Sequence, residues 1–451
     1  MKLNEYLKTL NKVYHITFNP NTLSVIRIHL IPPKKIQMGI SWVILINGQD
    51  IIPITTGWAI LLKEFIEQAN QYNKTNLEDE DIEIVINNTI KIVKQIFPKT
   101  KDELLIEDLK DIIETISDIA LGVVPNINIG YMKLKDYGKY MQAPHRMDLM
   151  ISSMMKNNMW NCNQKCMHCY ANTQENAIVE ELSTQQWKII IDKLKDDCIP
   201  QITFTGGEPT LRDDLVELVK YSEYFVTRLN TNGVELSLKL AKDLYDASLD
   251  SVQITLYSSK KDIHNLLVGS NRFDDTVNGI KNAIEAKLNV SINTPLCQIN
   301  KGYLETIKFA KSLGVRHFTC SGIIMTGAAS KESSMNTYLS KAEILQILKE
   351  AATYCKENFL ELSFTSPGWI EEKELETLDL IVPSCGACMS NMAIAPNGNV
   401  IPCQSWLSSN SLGNLLEKSF SSIWNSKECK KIRKDVIKST NKCLLSKKEV
   451  L

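Results

Sequence analysis

Three cysteines crowd into one short run, Cys162-Asn-Gln-Lys-Cys166-Met-His-Cys169-Tyr170, with the spacing C-x3-C-x2-C. Three thiolates on one loop can hold three irons of a 4Fe–4S cluster, because such clusters are ligated by cysteine sulfur. The fourth iron is then left without a protein ligand. An open position lets a metal site do chemistry as well as hold structure. The competing reading is zinc, which expects paired C-x2-C units or added histidines. His168 is nearby but lies between two ligands and points elsewhere.

A second set lies toward the C-terminus. Cys385-Gly-Ala-Cys388 precedes a strand, an Asn397-Gly398 turn and another strand that ends at Cys403. This hairpin returns Cys403 toward Cys385 and Cys388, and a closed cluster or zinc site needs a fourth ligand. Cys429 and Cys443 are available. Cys429 sits in a helical pattern where an apolar residue would serve equally, so Cys443 is the expected ligand and Cys429 is core. Cys198, Cys297, Cys320 and Cys355 lie in apolar patterns and also read as core.

The elements that position these groups are legible as patterns. Strand patterns fall at 148–152, 201–205, 225–229, 251–256, 290–294 and 317–321, with helical patterns between them. About six βα units in succession predict a parallel sheet with right-handed crossovers. The fold class is therefore α/β, a partial (β/α)6 TIM-like barrel over 149–345. Functional groups of such a sheet lie at the C-terminal ends of its strands. The cysteine triplet follows the first strand, Thr205-Gly206-Gly207-Glu208-Pro209 ends the second, Asn230-Thr231-Asn232-Gly233 ends the third, and Gln253 to Ser258 ends the fourth. Before the barrel, residues 23–56 read as strands, with Asn47-Gly48 as a hairpin turn, and three helical patterns follow at 57–68, 82–96 and 103–119. Small sheet then helices suits a winged-helix-like α+β domain over 1–120, joined by a linker at 121–148. Residues 346–451 form a small cysteine-bearing C-terminal domain.

Composition narrows the class. The chain has 451 residues, with 51 Lys+Arg against 52 Asp+Glu. No basic field exists to hold nucleic acid. No apolar run reaches the ~18–20 residues that span a bilayer, and the first residues carry no signal-peptide core. A soluble cytoplasmic protein without a membrane or nucleic-acid partner is expected. Twelve cysteines in such a chain favour metal or redox chemistry over disulfides.

Over roughly 149–325 this succession resembles the radical S-adenosylmethionine (SAM) superfamily. The resemblance implies a 4Fe–4S cluster on Cys162, Cys166 and Cys169, with SAM chelating its open iron. Reductive cleavage of SAM would give a 5′-deoxyadenosyl radical that takes hydrogen from a substrate. It implies that Gly206, Gly207 and Glu208 contact the SAM amino group, that Asn230, Asn232 and Gly233 lie near the ribose, and that Gln253 and Ser258 meet the ribose or carboxylate. Glycines permit close backbone approach, and a carboxylate suits an ammonium. The chain departs from the pattern at His264–Arg272, where relatives often have Arg-Gly; Arg272 reads as a solvated arginine at a helix start. A Cys297 or Cys320 thiol facing the cavity could return a hydrogen atom to a substrate radical.

The C-terminal hairpin, with Ser411-Leu-Gly-Asn-Leu and Ile423-Trp-Asn-Ser, is similar to SPASM/twitch extensions. The ligands for two closed clusters are not there, so one auxiliary 4Fe–4S cluster on Cys385, Cys388, Cys403 and Cys443 is expected, with zinc as the alternative. The N-terminal module resembles PqqD-like peptide-recognition domains; a structural cap is the alternative. The resemblance implies that a leader peptide adds to an exposed sheet edge. The expected function is maturation of a ribosomally made precursor peptide by a thioether, a carbon–carbon crosslink or epimerisation, with a flavodoxin or ferredoxin-type electron donor. The alternative is a small-molecule enzyme of a cofactor or haem-type pathway.

Overall fold

The computed structural model describes residues 3–10, 12–21, 24–33, 36, 41–47, 50–72, 78–127, 138, 141–408, 411–439 and 442–445. It divides into two compact units, residues 1–145 with 194–200, and residues 146–193 with 201–451.

The first unit opens with a short helix, Leu3–Leu7, and four antiparallel strands paired in chain order. These are β1 (Tyr14–Asn21), β2 (Ser24–Ile31), β3 (Trp42–Ile46) and β4 (Asp50–Ile54). The sequence patterns omit β1, which mixes polar and apolar residues and pairs with β2 through an irregularity between Phe18 and Asn21. All five residues of β3 are buried, as an interior strand covered on both faces requires. Helices Thr56–Ala69, Asp79–Ile96 and Asp102–Ala120 follow. Thr55 caps the first, its Oγ1 accepting from the Trp58 N–H at 3.3 Å. Ile60, Leu61, Phe65, Leu109 and Ile116 pack with Ile44 and Ile52 into one core. Strands β1 and β4 are the sheet edges, and β4 carries Pro53, which an edge tolerates. A small depression beside β4 is lined by Ile44, Ile52, Ile54, Trp58, Ile112, Thr115 and Ile116. Leu23 at the start of the expected strands, Gly48 of the expected turn, residues 73–77 between the first two of these helices, and 128–137 and 139–140 of the expected linker lie outside the described residues.

The second unit is built on parallel strands. They are β5 (Arg146–Ser152), β8 (Gln201–Gly206), β9 (Val226–Thr231), β10 (Ser251–Thr255), β11 (Asn289–Pro295), β12 (His317–Ser321) and β13 (Glu361–Phe364), each beside the next. Between β5 and β8 lies a minute ribbon, β6 (Met155–Lys156) and β7 (Met159–Trp160). The sheet goes further than the sequence patterns suggest. β13 adds a seventh parallel strand, and β14 (Asn391–Ile394) pairs in parallel with β5 on its other side. Both lie beyond residue 345, where the alternation ends in the sequence. At four residues each they are too short to show a period. β15 (Asn399–Ile401) and β16 (Gly413–Asn414) then pair antiparallel, so the cysteine-bearing hairpin continues the barrel sheet.

Alternation decides which side chains meet the helices. Ile202, Phe204, Leu229, Val252, Ile254, Ile292 and Phe318 are buried, while Gln253, Asn293 and Thr319 on the opposite face are half-buried. Among the described residues no helix is long and apolar enough to cross a membrane.

Candidate active site

The loop after β5 carries Cys162, Cys166 and Cys169, all free thiols. The loop is held from two sides. Lys165 N–H donates to the Val268 carbonyl at 2.9 Å and Met167 N–H to Leu267 at 2.8 Å, so the end of helix Lys261–Val268 fixes one edge. Ala328 N–H donates to the Cys169 carbonyl at 2.9 Å, Ser334 Oγ to the Met167 carbonyl at 3.1 Å, and a His168 ring nitrogen shares a 2.8 Å hydrogen bond with Thr337. These anchors came from the stretch that departs from the family pattern and from a loop with no motif. Backbone carbonyls leave no residue-type signal in a sequence.

The three thiols sense one another. Burial pushes Cys166 up first, followed by the charges of Cys169 and Cys162. Burial and the Glu208 carboxylate push Cys162 up to about 12. Burial also raises Cys169. Thiols placed this way give up protons only to a metal that repays the cost. The donor set is all sulfur on one loop, and it fits a cluster that binds each thiolate through a different iron. Among the described residues no three His, Cys, Asp or Glu side chains close on one point as a lone ion would require.

The strand-end turns gather beside this loop. Cys162 Sγ lies 3.6 Å from the Gly207 carbonyl. Gly207 N–H donates to the Ser152 carbonyl at 2.9 Å, and a Cβ at Gly207 would lie 2.8 Å from the Ser153 carbonyl oxygen. Only glycine allows that approach. Glu208 is buried, and its carboxylate accepts from Thr210 N–H (3.1 Å) and Oγ1 (2.7 Å), from Thr231 Oγ1 (2.6 Å) and from Asn232 N–H (2.8 Å). Three of these donors fall on Oε1 and one, the Asn232 N–H, on Oε2. Burial still raises its pKa. Glu208 thus ties the turn after β9 to the turn after β8. Asn232 Nδ2 reaches back to Asn163 Oδ1 at 2.6 Å, inside the cysteine loop, and Gly233 N–H donates to Thr231 Oγ1 at 3.0 Å. Asn230 lies in β9, half-buried.

Gln253 falls within β10, not at its end, and its Nε2 donates to Thr319 Oγ1 at 3.3 Å. Thr319 in turn donates to Asn293 Oδ1 at 3.1 Å. Asn293 and Thr319 carry no motif, and only the strand register puts them on the Gln253 face. Ser258 Oγ accepts from Lys260 N–H at 3.1 Å, at the start of helix Lys261–Val268. Arg272 is paired with Glu235 at 3.4 Å and with Asp275. Cys320 lies on the helix-facing side of β12, hydrogen-bonded to Tyr303, opposite the Gln253 face. Cys297 is buried among Tyr257, Leu267, Val268 and Ile323, with Cys166 packed against that cluster.

The C-terminal thiols also gather. Burial raises Cys403 to about 12, with contributions from Cys385 and Cys443, and Cys443 likewise acts on Cys385 after burial. Cys388 neighbours Cys403 and hydrogen-bonds Cys429. That bond raises Cys388 first, with burial second. The same bond, aided by Arg433, lowers Cys429. Cys429 thus neighbours Cys388, one of the four thiols the sequence reading assigns.

Comparison with known proteins finds two domains in this stretch of the chain. Residues 161–310 match the Radical SAM superfamily and residues 385–444 match the SPASM iron–sulfur cluster-binding domain. The chain carries a Radical SAM domain and, C-terminal to it, a SPASM domain. The cofactors of these domains are a 4Fe–4S cluster, SAM and an auxiliary iron–sulfur cluster. More particularly, the chain is 34% identical over 139 residues to Fe-coproporphyrin III synthase of Methanosarcina barkeri, covering 30% of this chain and 35% of that one. The matched stretch is thus about a third of that relative. It is 27% identical over 280 residues to mycofactocin maturase MftC of Mycolicibacterium smegmatis, covering 59% and 68%. In fold it is similar to SuiB of Streptococcus suis, solved with SAM (TM-score 0.62, 16% identity, covering 90% and 89%) and with its precursor peptide SuiA (TM-score 0.59, 15% identity, 90% of each).

Proposed function

We propose that the protein is a maturase of a ribosomally made precursor peptide. When bound, the reduced cluster and SAM supply a 5′-deoxyadenosyl radical, which takes a hydrogen atom from an amino-acid residue. The chain's own residues do the positioning. The pinned loop sets three thiols, the Gly206-Gly207 backbone lies against them, and Glu208 with Asn232 fixes the turn beside them. Gln253, Asn293 and Thr319 offer neutral hydrogen-bonding groups on the half-exposed face of the sheet. The radical then forms where the substrate residue is held, which is the protein's share of such catalysis. The outcome would be a thioether, a carbon–carbon crosslink or an epimerised α-carbon, with the electron arriving from a flavodoxin or ferredoxin-type donor.

The observation that carries the peptide reading is the N-terminal unit, with its edge strand β4 beside a small depression lined by Trp58, Ile112 and Ile116. A leader segment would pair with that edge and lay apolar side chains over the surface at Trp58. The fold likeness to SuiB and the MftC relationship support it. A small-molecule substrate of haem type is the second reading, favoured by the identity to Fe-coproporphyrin III synthase.

The test incubates anaerobically reconstituted protein with SAM and the short peptide encoded beside its gene. Peptide losing two hydrogens, or exchanging one in D2O, together with 5′-deoxyadenosine, is expected. Trp58→Ala should weaken peptide binding about tenfold while leaving iron content unchanged, as loss of one aromatic wall costs ~1–2 kcal/mol. Turnover of an iron porphyrin with the peptide untouched would move the assignment to the second reading.

A further inference from the structure

The last helix, Lys427–Ser439, carries six basic residues against two acidic ones. The whole chain has a net charge of −1, so this is a local concentration of charge. Lys427, Lys430, Lys431, Lys434 and Lys438 fall within one stripe about 100° wide, and all five are exposed. The opposite side of the helix packs inward. Cys429 and Val436 are buried there, and Arg433 Nε donates to the Cys388 carbonyl at 2.7 Å. Within the stripe, Lys427 and Lys431, Lys430 and Lys434, and Lys434 and Lys438 stand one turn apart, where like charges repel. Among the described residues none of these lysines stands in an ion pair, not even Lys431 with Asp435 one turn on. Another helix uses that spacing, as Lys239 and Asp243 pair at 2.6 Å. A repulsive face without counter-charge fits an anionic surface supplied from outside.

The stripe lies on the cysteine-bearing part of the chain. Its helix is tied to Cys388 through Arg433, and Cys443 follows shortly after its end. A membrane-surface helix turns its apolar side outward, and here that side is buried. A surface for single-stranded nucleic acid sets aromatic rings among its cations, and this helix has none. We propose that the lysine stripe is the docking surface for a small acidic electron-carrier protein, which passes one electron to the auxiliary cluster. The carrier is oxidised and the cluster reduced by that electron, and no bond is made or broken. This rests on the reading that an electron carrier serves the enzyme and that Cys388 and Cys443 hold the cluster. Attraction between a basic stripe and an acidic partner speeds encounter and weakens with salt. Such redox complexes are small and transient, which suits a carrier that must leave once oxidised.

The test uses the full chain carrying Cys162→Ala, Cys166→Ala and Cys169→Ala, reconstituted anaerobically, so that the auxiliary cluster is the acceptor. The probe is a [2Fe–2S] ferredoxin of acidic surface. Its binding is read by calorimetry, and cluster reduction by stopped flow with the reduced ferredoxin. Lys430→Glu, Lys434→Glu and Lys438→Glu together should weaken binding about tenfold and slow reduction by a similar factor. Iron content should hold, and the thermal midpoint should be no lower. Raising salt from about 20 to about 200 mM should remove most of the difference. Lys220→Glu, Lys242→Glu and Lys281→Glu make the same change in charge at exposed positions on other helices, and this control should bind as the parent does. Equal weakening in the control would reduce the effect to net charge and overturn the surface. Unchanged binding in the helix variant, or a parent that binds no ferredoxin, would do the same. Weakened binding with an unchanged rate of reduction would refute the electron-transfer role. Loss of a single-stranded RNA oligonucleotide from the helix variant, with ferredoxin unaffected, would make the stripe a nucleic-acid surface instead. No iron in the triple-cysteine chain would remove the acceptor and the proposal with it. Dithionite needs no docking surface, so with the triplet intact the helix variant should modify peptide under dithionite as the parent does. Peptide left untouched by the parent under dithionite would refute the maturase reading and leave the docking result standing.

Discussion

Glu208 shows how much one side chain can carry. The family resemblance gives its carboxylate to the SAM ammonium, yet four donors from Thr210, Thr231 and Asn232 already converge on it. Its nearest duty is to lock two turns together. Glu208→Gln replaces one oxygen with a donor, leaving either the Asn232 N–H or the Thr210 and Thr231 donors without their acceptor in a buried place. That costs ~1–3 kcal/mol. SAM binding should weaken ten- to a hundredfold while the ~4 irons per cluster stay bound, checked by equilibrium dialysis of SAM beside an iron assay. Iron lost along with SAM affinity would place Glu208 in the support of the cysteine loop. Residue identity and order were legible at this scale, because Cys162, Gly207 and Glu208 are distinctive types at fixed spacings. Partner choice was not, since a hydrogen bond joins residues that the sequence holds 23 or 24 positions apart.

At the scale of elements, the turn after β9 is set by a helix that never touches the cysteine loop through a motif. Gly279 sits inside helix Phe273–Glu285, and a Cβ there would lie 2.0 Å from the Gly233 carbonyl oxygen. Gly→Ala in an exposed helix interior normally gains ~0.5–1 kcal/mol. Here the clash must push the Asn232-Gly233 turn away, and it outweighs that gain. Gly279→Ala should lower the thermal midpoint by several degrees and weaken SAM binding. Gly302→Ala, with nothing within 4 Å of its Cβ, should change neither. Scanning calorimetry with a SAM titration checks both. A higher midpoint in Gly279→Ala would mean that the helix yields freely. The six central strands could be read from apolar periodicity. β1, β13 and β14 could not, being short or mixed, with pairing that comes from neighbours distant in the chain.

For the whole molecule, two cysteine sets should hold two clusters. Anaerobically reconstituted parent should contain about eight irons, and the Cys162/Cys166/Cys169→Ala variant about four. Iron and sulfide assays check this. About four in the parent and none in the variant would leave Cys385, Cys388, Cys403 and Cys443 to zinc or to structure. Iron unaffected by the substitutions would overturn the assignment of the triplet. The C-terminal set is joined to the barrel through β14, which pairs with β5 in register from Arg146 to Leu149. A cluster there lies on an extension of the same sheet that carries the first.

The sequence by itself determined the chemistry on offer, since thiol spacing and glycine turns are local properties that survive without a fold. It also determined the α/β class, because amphipathic periodicity records which faces will be buried. Only the tertiary structure decided which groups meet. Cys429 reads as core because its helix could bury any apolar residue there, yet folding places it between Cys388 and Arg433. Cys320 reads as core that could also face the cavity, and strand alternation turns it to the helix layer beside Tyr303. Such outcomes depend on strand register and crossover packing, which are set by contacts across the whole domain and leave no trace in local spacing.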